Sequence, residues 1–158
     1  RLTGEYRWEM CKRIQGVRWN DLSERSLTSE YCDYAQFYRK NPDLSTDAKD
    51  KVKTALQKAK NNYKEMFVND YTMWILFEGN GSPRLNKVAR AILFMHCPFS
   101  AGIRAKLTAN PLYKEMLEAY NVRTGQKLHH VEAACQRFRV RGDAVPEELE
   151  KQKAFLES

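Results

Sequence analysis

The sequence predicts an all-α fold, a compact single-domain bundle of about six or seven helices over residues 1–158. Three observations carry that expectation. Apolar residues recur at i, i+3, i+4 and i+7 along most of the chain, the period of an amphipathic helix. Helix start and stop signals (Ser-Pro, Asn-Pro and Thr-Gly) punctuate it at intervals that leave connections of four to eight residues. Tyr71–Phe77 is the one place where a strand competes, and its phase from Phe67 through Tyr71 to Trp74 continues a helical stripe.

Taken in order, Glu5 to Val17 places Trp8, Cys11 and Ile14 on one face, and Gly16 offers a stop. Trp19 and a polar linker, Asn20 to Ser26, follow. Thr28 or Ser29 is expected to cap a helix to Lys40, with Tyr31, Tyr34, Ala35 and Tyr38 as a packed face whose hydroxyls reach its edge. Asn41-Pro42 breaks it. Ser45 opens the longest helical pattern, in which Ala48, Val52, Ala55, Leu56, Ala59, Tyr63, Met66 and Phe67 form one stripe; Asn69-Asp70 offers an end, and the preferred reading runs on through Tyr71 and Trp74 to Glu78.

Ser82-Pro83 reads as a cap and first helical residue. Leu85, Val88, Ala89, Ile92, Leu93 and His96 are then expected to face inward, with Arg84, Lys87 and Arg90 opposite and Phe94 near the basic side. Ala48–Glu78 and Arg84–Cys97 form the expected central pair, burying Ile92, Leu93, Trp74, Phe67, Leu56, Val88, Leu117 and Val131. Ser100 caps a short helix, and Asn110-Pro111 starts the next, with Leu112, Tyr113, Met116, Leu117 and Tyr120 on its stripe. Thr124-Gly125 is read as a turn before a helix from Lys127 to Phe138. Gln136 to Arg141 shifts toward alternation, so an extended segment or fraying helix end is expected before Gly142. Val145-Pro146 then opens an acidic terminal helix.

Composition bounds the function classes. A chain of 158 residues with 42% hydrophobic and 30% charged residues has the make-up of a globular domain. A domain of this size buries about 70% of its unfolded surface. No apolar run approaches the roughly 18 residues of a membrane span, so no membrane partner is expected. Arg1 is not an initiator residue, and the sequence is expected to be a fragment of a longer chain. Cys11, Cys32, Cys97 and Cys135 are widely spaced without a C-x-x-C pair, which favours reduced thiols and a cytoplasmic setting. No cofactor is expected. Three histidines and scattered cysteines do not fall at the spacings of a zinc site.

Charge supplies the main functional clue. Residues 80–142 hold eleven Lys and Arg against three Asp and Glu, whereas residues 143–158 hold two against five. Such a concentrated excess is the footprint of a polyanion-binding surface. The expected contacts are Arg84, Lys87, Arg90, Arg104, Lys106, Arg123, Lys127, Arg137, Arg139 and Arg141. If residues 137–141 are extended, their arginines share one side at about 6.8 Å intervals, close to the separation of successive phosphates. A non-enzymatic module that docks nucleic acid within a nucleoprotein assembly is therefore the leading expectation. The competing one is a protein-interaction or structural subunit of a larger complex, of viral or mobile-element type, whose aromatic faces are interfaces.

One further pattern concerns catalysis. Arg90 to His96 and Arg123 to His129 each read Arg, five residues, His. This spacing resembles the Arg…His signature of HEPN-type ribonucleases, helical domains in which paired arginines and histidines cleave RNA. The resemblance implies histidine as general acid and base and arginine as stabiliser of the charged phosphorane. Ala91 and Thr124 follow the arginines where that family usually has a strongly polar residue.

Overall fold

A computed structural model describes residues 1–15 and 26–157, and among them every regular element is helical. Gly16, Trp19 and the linker through residue 25 lie outside the described residues, as does the side chain of Ile14. The chain divides into two compact units, Arg1–Phe99 and Ser100–Ser158. The first comprises α1 (Leu2–Gln15), α2 (Leu27–Phe37), α3 (Thr46–Lys58), α4 (Tyr63–Leu76) and α5 (Lys87–His96). The second comprises α6 (Ala101–Leu107), α7 (Pro111–Arg141) and α8 (Glu147–Glu157). These eight helices slightly exceed the expected number.

In the first unit, α2 begins earlier than expected because Ser26 and Ser29 cap it reciprocally. The Ser29 amide donates to Ser26 Oγ at 3.0 Å, and the Ser26 amide donates to Ser29 Oγ at 3.0 Å. Serine thus fills the third position usually given to Glu or Gln. The tyrosine face packs as expected, with Tyr31, Tyr34, Ala35 and Tyr38 all buried. Tyr31 meets Phe67 edge-on at 5.3 Å, and Phe67 meets Trp8 of α1 at 5.2 Å. A second aromatic cluster forms where Trp74 stacks on Phe99 at 4.1 Å and meets Phe94 at 5.9 Å. The Trp74 indole donates to the Cys97 carbonyl at 3.0 Å, so this large ring buries no unmet polar group. All four cysteines are free thiols.

The long helical pattern after Ser45 is two helices rather than one. The chain turns at Lys60 and Asn61, whose φ values of 50° and 57° are left-handed. The Asn61 amide closes the turn on the Leu56 carbonyl at 2.8 Å. Asn62 then caps α4, its side-chain oxygen accepting from the amides of Lys64 and Glu65. Asparagine tolerates the left-handed region and caps helices well, so Asn61-Asn62 both ends and restarts the helix. Tyr71–Leu76 is helical, as its phase implied.

Asp70 sits at the edge of the tyrosine face and accepts a hydrogen bond from the Tyr31 hydroxyl. Burial pushes its carboxyl up to about 6, with the Tyr31 bond opposing part of that rise. The folded protein therefore holds this proton where the unfolded chain releases it near the ordinary carboxyl value of 3.8. Asp70 favours folding below that value, and its contribution is lost as pH rises through about 6. The loss amounts to about 3 kcal/mol. Urea titrations across this window should show Asp70→Asn flattening the pH dependence of stability; a parallel curve for the variant would remove Asp70 as its source.

The start of α5 corrects the expectation. Asn86, not Ser82, is the cap, its Oδ1 accepting from the amides of Val88 and Ala89 at 3.0 Å each. Ser82–Leu85 stays outside the helix because the Glu78 carboxylate takes the amides of Arg84 and Leu85, each at 2.7 Å. The inward face is consequently Ala89, Arg90, Leu93, Phe94 and Cys97, while Val88, Ile92 and His96 are half-buried. Leu93, Trp74, Phe67, Leu56, Leu117 and Val131 are buried as expected.

In the second unit, Asn110 and Pro111 open α7 as expected, with Asn110 Oδ1 accepting from the Leu112 amide at 3.1 Å. The helix does not turn at Thr124-Gly125. It continues for 31 residues to Arg141, about 46 Å at helical rise. Residues 137–141 are thus helical rather than extended, and Gly142 ends the helix at φ 77°. Its amide donates to the Arg139 carbonyl at 3.0 Å, and the Asp143 amide to that of Phe138 at 3.0 Å. The acidic helix α8 packs against α7, and Lys153 bridges to Glu132 at 3.3 Å.

Gly125 is a mid-helix glycine around which an added Cβ meets nothing within 4 Å. Gly125→Ala should stabilise the protein by about 0.5–1 kcal/mol, through the lower backbone entropy of the unfolded chain. Chemical denaturation followed by far-UV circular dichroism measures it. Destabilisation would mean that the helix is interrupted at this point.

Candidate nucleic-acid interface

The ten basic residues singled out in the sequence occupy different settings. In the first unit, Arg84 is exposed in the loop before α5, its guanidinium 5.4 Å from the Phe77 ring centroid. Lys87 is exposed at the first residue of α5. Arg90 is not a surface contact. Its Nε donates to Glu78 Oε2 at 2.6 Å and its Nη2 to the Leu85 carbonyl at 2.6 Å, with 5% of the arginine and 0% of the glutamate side chain exposed. A charge this deep survives because it is paired and hydrogen-bonded. Phe94, expected near the basic side, is buried against Trp74.

In the second unit, Arg104 of α6 lies 5.1 Å from the Tyr120 ring of α7, and Lys106 is exposed. The other basic residues are on α7, whose register sorts them. At 100° per residue, Arg123, Lys127, Arg137 and Arg141 fall within an arc of about 80° along about 27 Å of axis. His130 lies in the same arc. Its Nδ1 donates to the Gln126 carbonyl at 2.7 Å, which leaves Nε2 for an outside partner. Arg139 points roughly to the opposite side, where it lines a groove with His129, Glu132 and Lys153.

The arc carries no acidic residue. Glu132 stands on the α8 side of α7, in its bridge to Lys153. Among the described residues, no carboxylate forms an ion pair with Arg123, Lys127, Arg137 or Arg141. Partial burial, and then the neighbouring Arg123, lower the Lys127 ammonium from its ordinary value. Successive cations at i and i+4 are about 6 Å apart along the axis, and like charges so placed repel. An anionic ligand would relieve that repulsion.

His130 was missed as part of this stripe because the turn expected at Thr124-Gly125 broke the i, i+4, i+7 series that begins at Arg123. Neither Arg…His pair assembles a joint site. His96 Nε2 is bonded to Glu30 Oε2 at 2.6 Å, and its carbonyl accepts from Arg7 at 2.7 Å, while Arg90 is engaged by Glu78. Arg123 and His129 project about 120° apart on one helix. Among the described residues, no group of three His, Cys, Asp or Glu side chains is placed to hold a metal ion, and no helix is long and apolar enough to cross a membrane.

No curated protein and no solved structure matches this chain. A family model described as a domain of unknown function, DUF8509, matches residues 16–155. That match takes in both compact units, and the chain belongs to the DUF8509 family.

Proposed function

We propose that this protein is a helical module that docks nucleic acid through the basic arc of α7. The observation that carries the reading is the carboxylate-free alignment of Arg123, Lys127, His130, Arg137 and Arg141 on one side of a single helix. One continuous helix fixes the backbone that carries these side chains, so no backbone ordering of this segment is left for the moment of binding. Contacts of this kind engage phosphates and position a ligand without reading its sequence. Fluorescence anisotropy of a labelled random-sequence oligonucleotide at low and physiological salt tests it. Binding that weakens steeply with salt is the expected result, and no binding at low salt would remove the reading.

A second reading, a subunit of a larger protein assembly, draws on Met73, Ile75 and Leu76, three exposed apolar side chains crowded into the end of α4. Light scattering across a wide concentration range tests self-assembly. An unchanging monomer would set that form of the reading aside.

A further inference from the structure

A half-open groove of about 400 Å³ lies within the first unit, between the end of α2 and the α3–α4 turn. Its floor is apolar, made by Ala35 and Leu56, and Tyr38 walls one side; all three are buried. At its mouth stand two cations, Arg39 and Lys53, and no carboxylate lines it.

Arg39 is fixed from behind: its Nε donates to the Tyr38 hydroxyl at 3.1 Å, with the guanidinium 5.7 Å from the Tyr38 ring centroid. Among the described residues, neither Arg39 nor Lys53 forms an ion pair with a carboxylate. The Nη groups of a guanidinium held this way suit two oxygens of one phosphate. Three primary amides, from Gln36, Gln57 and Asn61, together with Tyr63 complete the lining. Asn61 is set there by the left-handed turn at Lys60 and Asn61. Amides both donate and accept, which is what the polar edge of a heteroaromatic base requires.

We propose that this groove binds a small phosphorylated ligand of mononucleotide size, with its phosphate on Arg39 and Lys53 and its base edge against the amides. The site shares no residue with the α7 arc and does not rest on the nucleic-acid reading.

Isothermal titration calorimetry of the whole chain with AMP, GMP, CMP and UMP, and with ribose 5-phosphate and inorganic phosphate, tests it. At least one nucleotide should bind more tightly than either sugar phosphate or phosphate. Arg39→Ala and Lys53→Ala should each weaken it about tenfold, because each removes a charge-assisted contact. Gln57→Ala should weaken the nucleotide while leaving ribose 5-phosphate unchanged. Lys51→Ala, on the other side of α3 beside Asp47 and Asp50, should change nothing. Circular dichroism checks that each variant is folded, and the exposed Lys53 gives a site variant that leaves the core untouched. The proposal is overturned if no nucleotide binds at millimolar concentration, if phosphate alone binds as well as the nucleotides, or if the Arg39→Ala/Lys53→Ala double variant binds normally.

Discussion

Glu78→Ala should lower the unfolding free energy by about 3–5 kcal/mol, the cost of leaving one member of a buried ion pair without its partner. Glu78 is fully buried and serves Arg90 and the amides of Arg84 and Leu85 together. Its removal strands a guanidinium and frees the loop that holds α5 at its start. Small domains are stable by only about 5–15 kcal/mol, so much of the folded margin disappears. All three tryptophans (Trp8, Trp19 and Trp74) fall within residues 1–99, so urea unfolding followed by their fluorescence reports this unit. Arg90→Met should cost less than Glu78→Ala, because the carboxylate keeps both amides. Pairing the two changes should recover part of the loss in Glu78→Ala, since the stranded charge is gone while the amides still lack an acceptor. Equal stability of Glu78→Ala and the wild type would mean that Arg90 reaches solvent.

This pair marks where the sequence stops being legible. The α-helical class, the Asn110-Pro111 start and the buried tyrosine face follow from local period and local caps, and the structure has them. Arg90 reads as a surface cation by period alone, because nothing local announces that a carboxylate twelve residues earlier will take its charge. The same carboxylate explains the false helix start at Ser82-Pro83. Two competing signals, Ser-Pro and Asn86, lie four residues apart, and a tertiary hydrogen-bond acceptor decides between them. Phe94 follows from the shift: once α5 turns Arg90 inward, the residue one helical turn later is inward too.

At the candidate interface the error ran the other way. Gly125 and the alternation from Gln136 to Arg141 are weak local signals against a helix, worth about 1 kcal/mol for the glycine. They lose to the packing of α7 along its inward face, where Tyr113, Leu117, Val131 and Cys135 keep helical phase across both places. Reading that phase through residue 141 would have aligned the basic residues correctly. It would also have separated Arg139, which points away from the others.

Reversal of the arc's charges should abolish oligonucleotide binding while leaving the fold intact. Each phosphate neutralised contributes about 0.7 to the salt slope of a single strand and about 0.9 for a duplex. Four engaged cations therefore give a slope near −3 for a single strand, and raising salt from about 50 to 200 mM should weaken binding by about fiftyfold. Arg137→Glu/Arg141→Glu should reduce the slope by about 1.4, and replacing Arg123 and Lys127 as well should leave no measurable binding at low salt. These side chains take no part in ion pairs with described carboxylates, so the unfolding midpoint should hardly move. Arg139→Glu is the discriminating control. It changes net charge as much as any single reversal, yet it lies across the helix in the groove beside α8. If binding depended only on the overall charge of +7, Arg139→Glu would weaken it as much as Arg137→Glu does. Equal losses from those two single changes would replace a defined face with diffuse attraction, whereas a loss confined to Arg137→Glu fixes the nucleic acid to one side of α7.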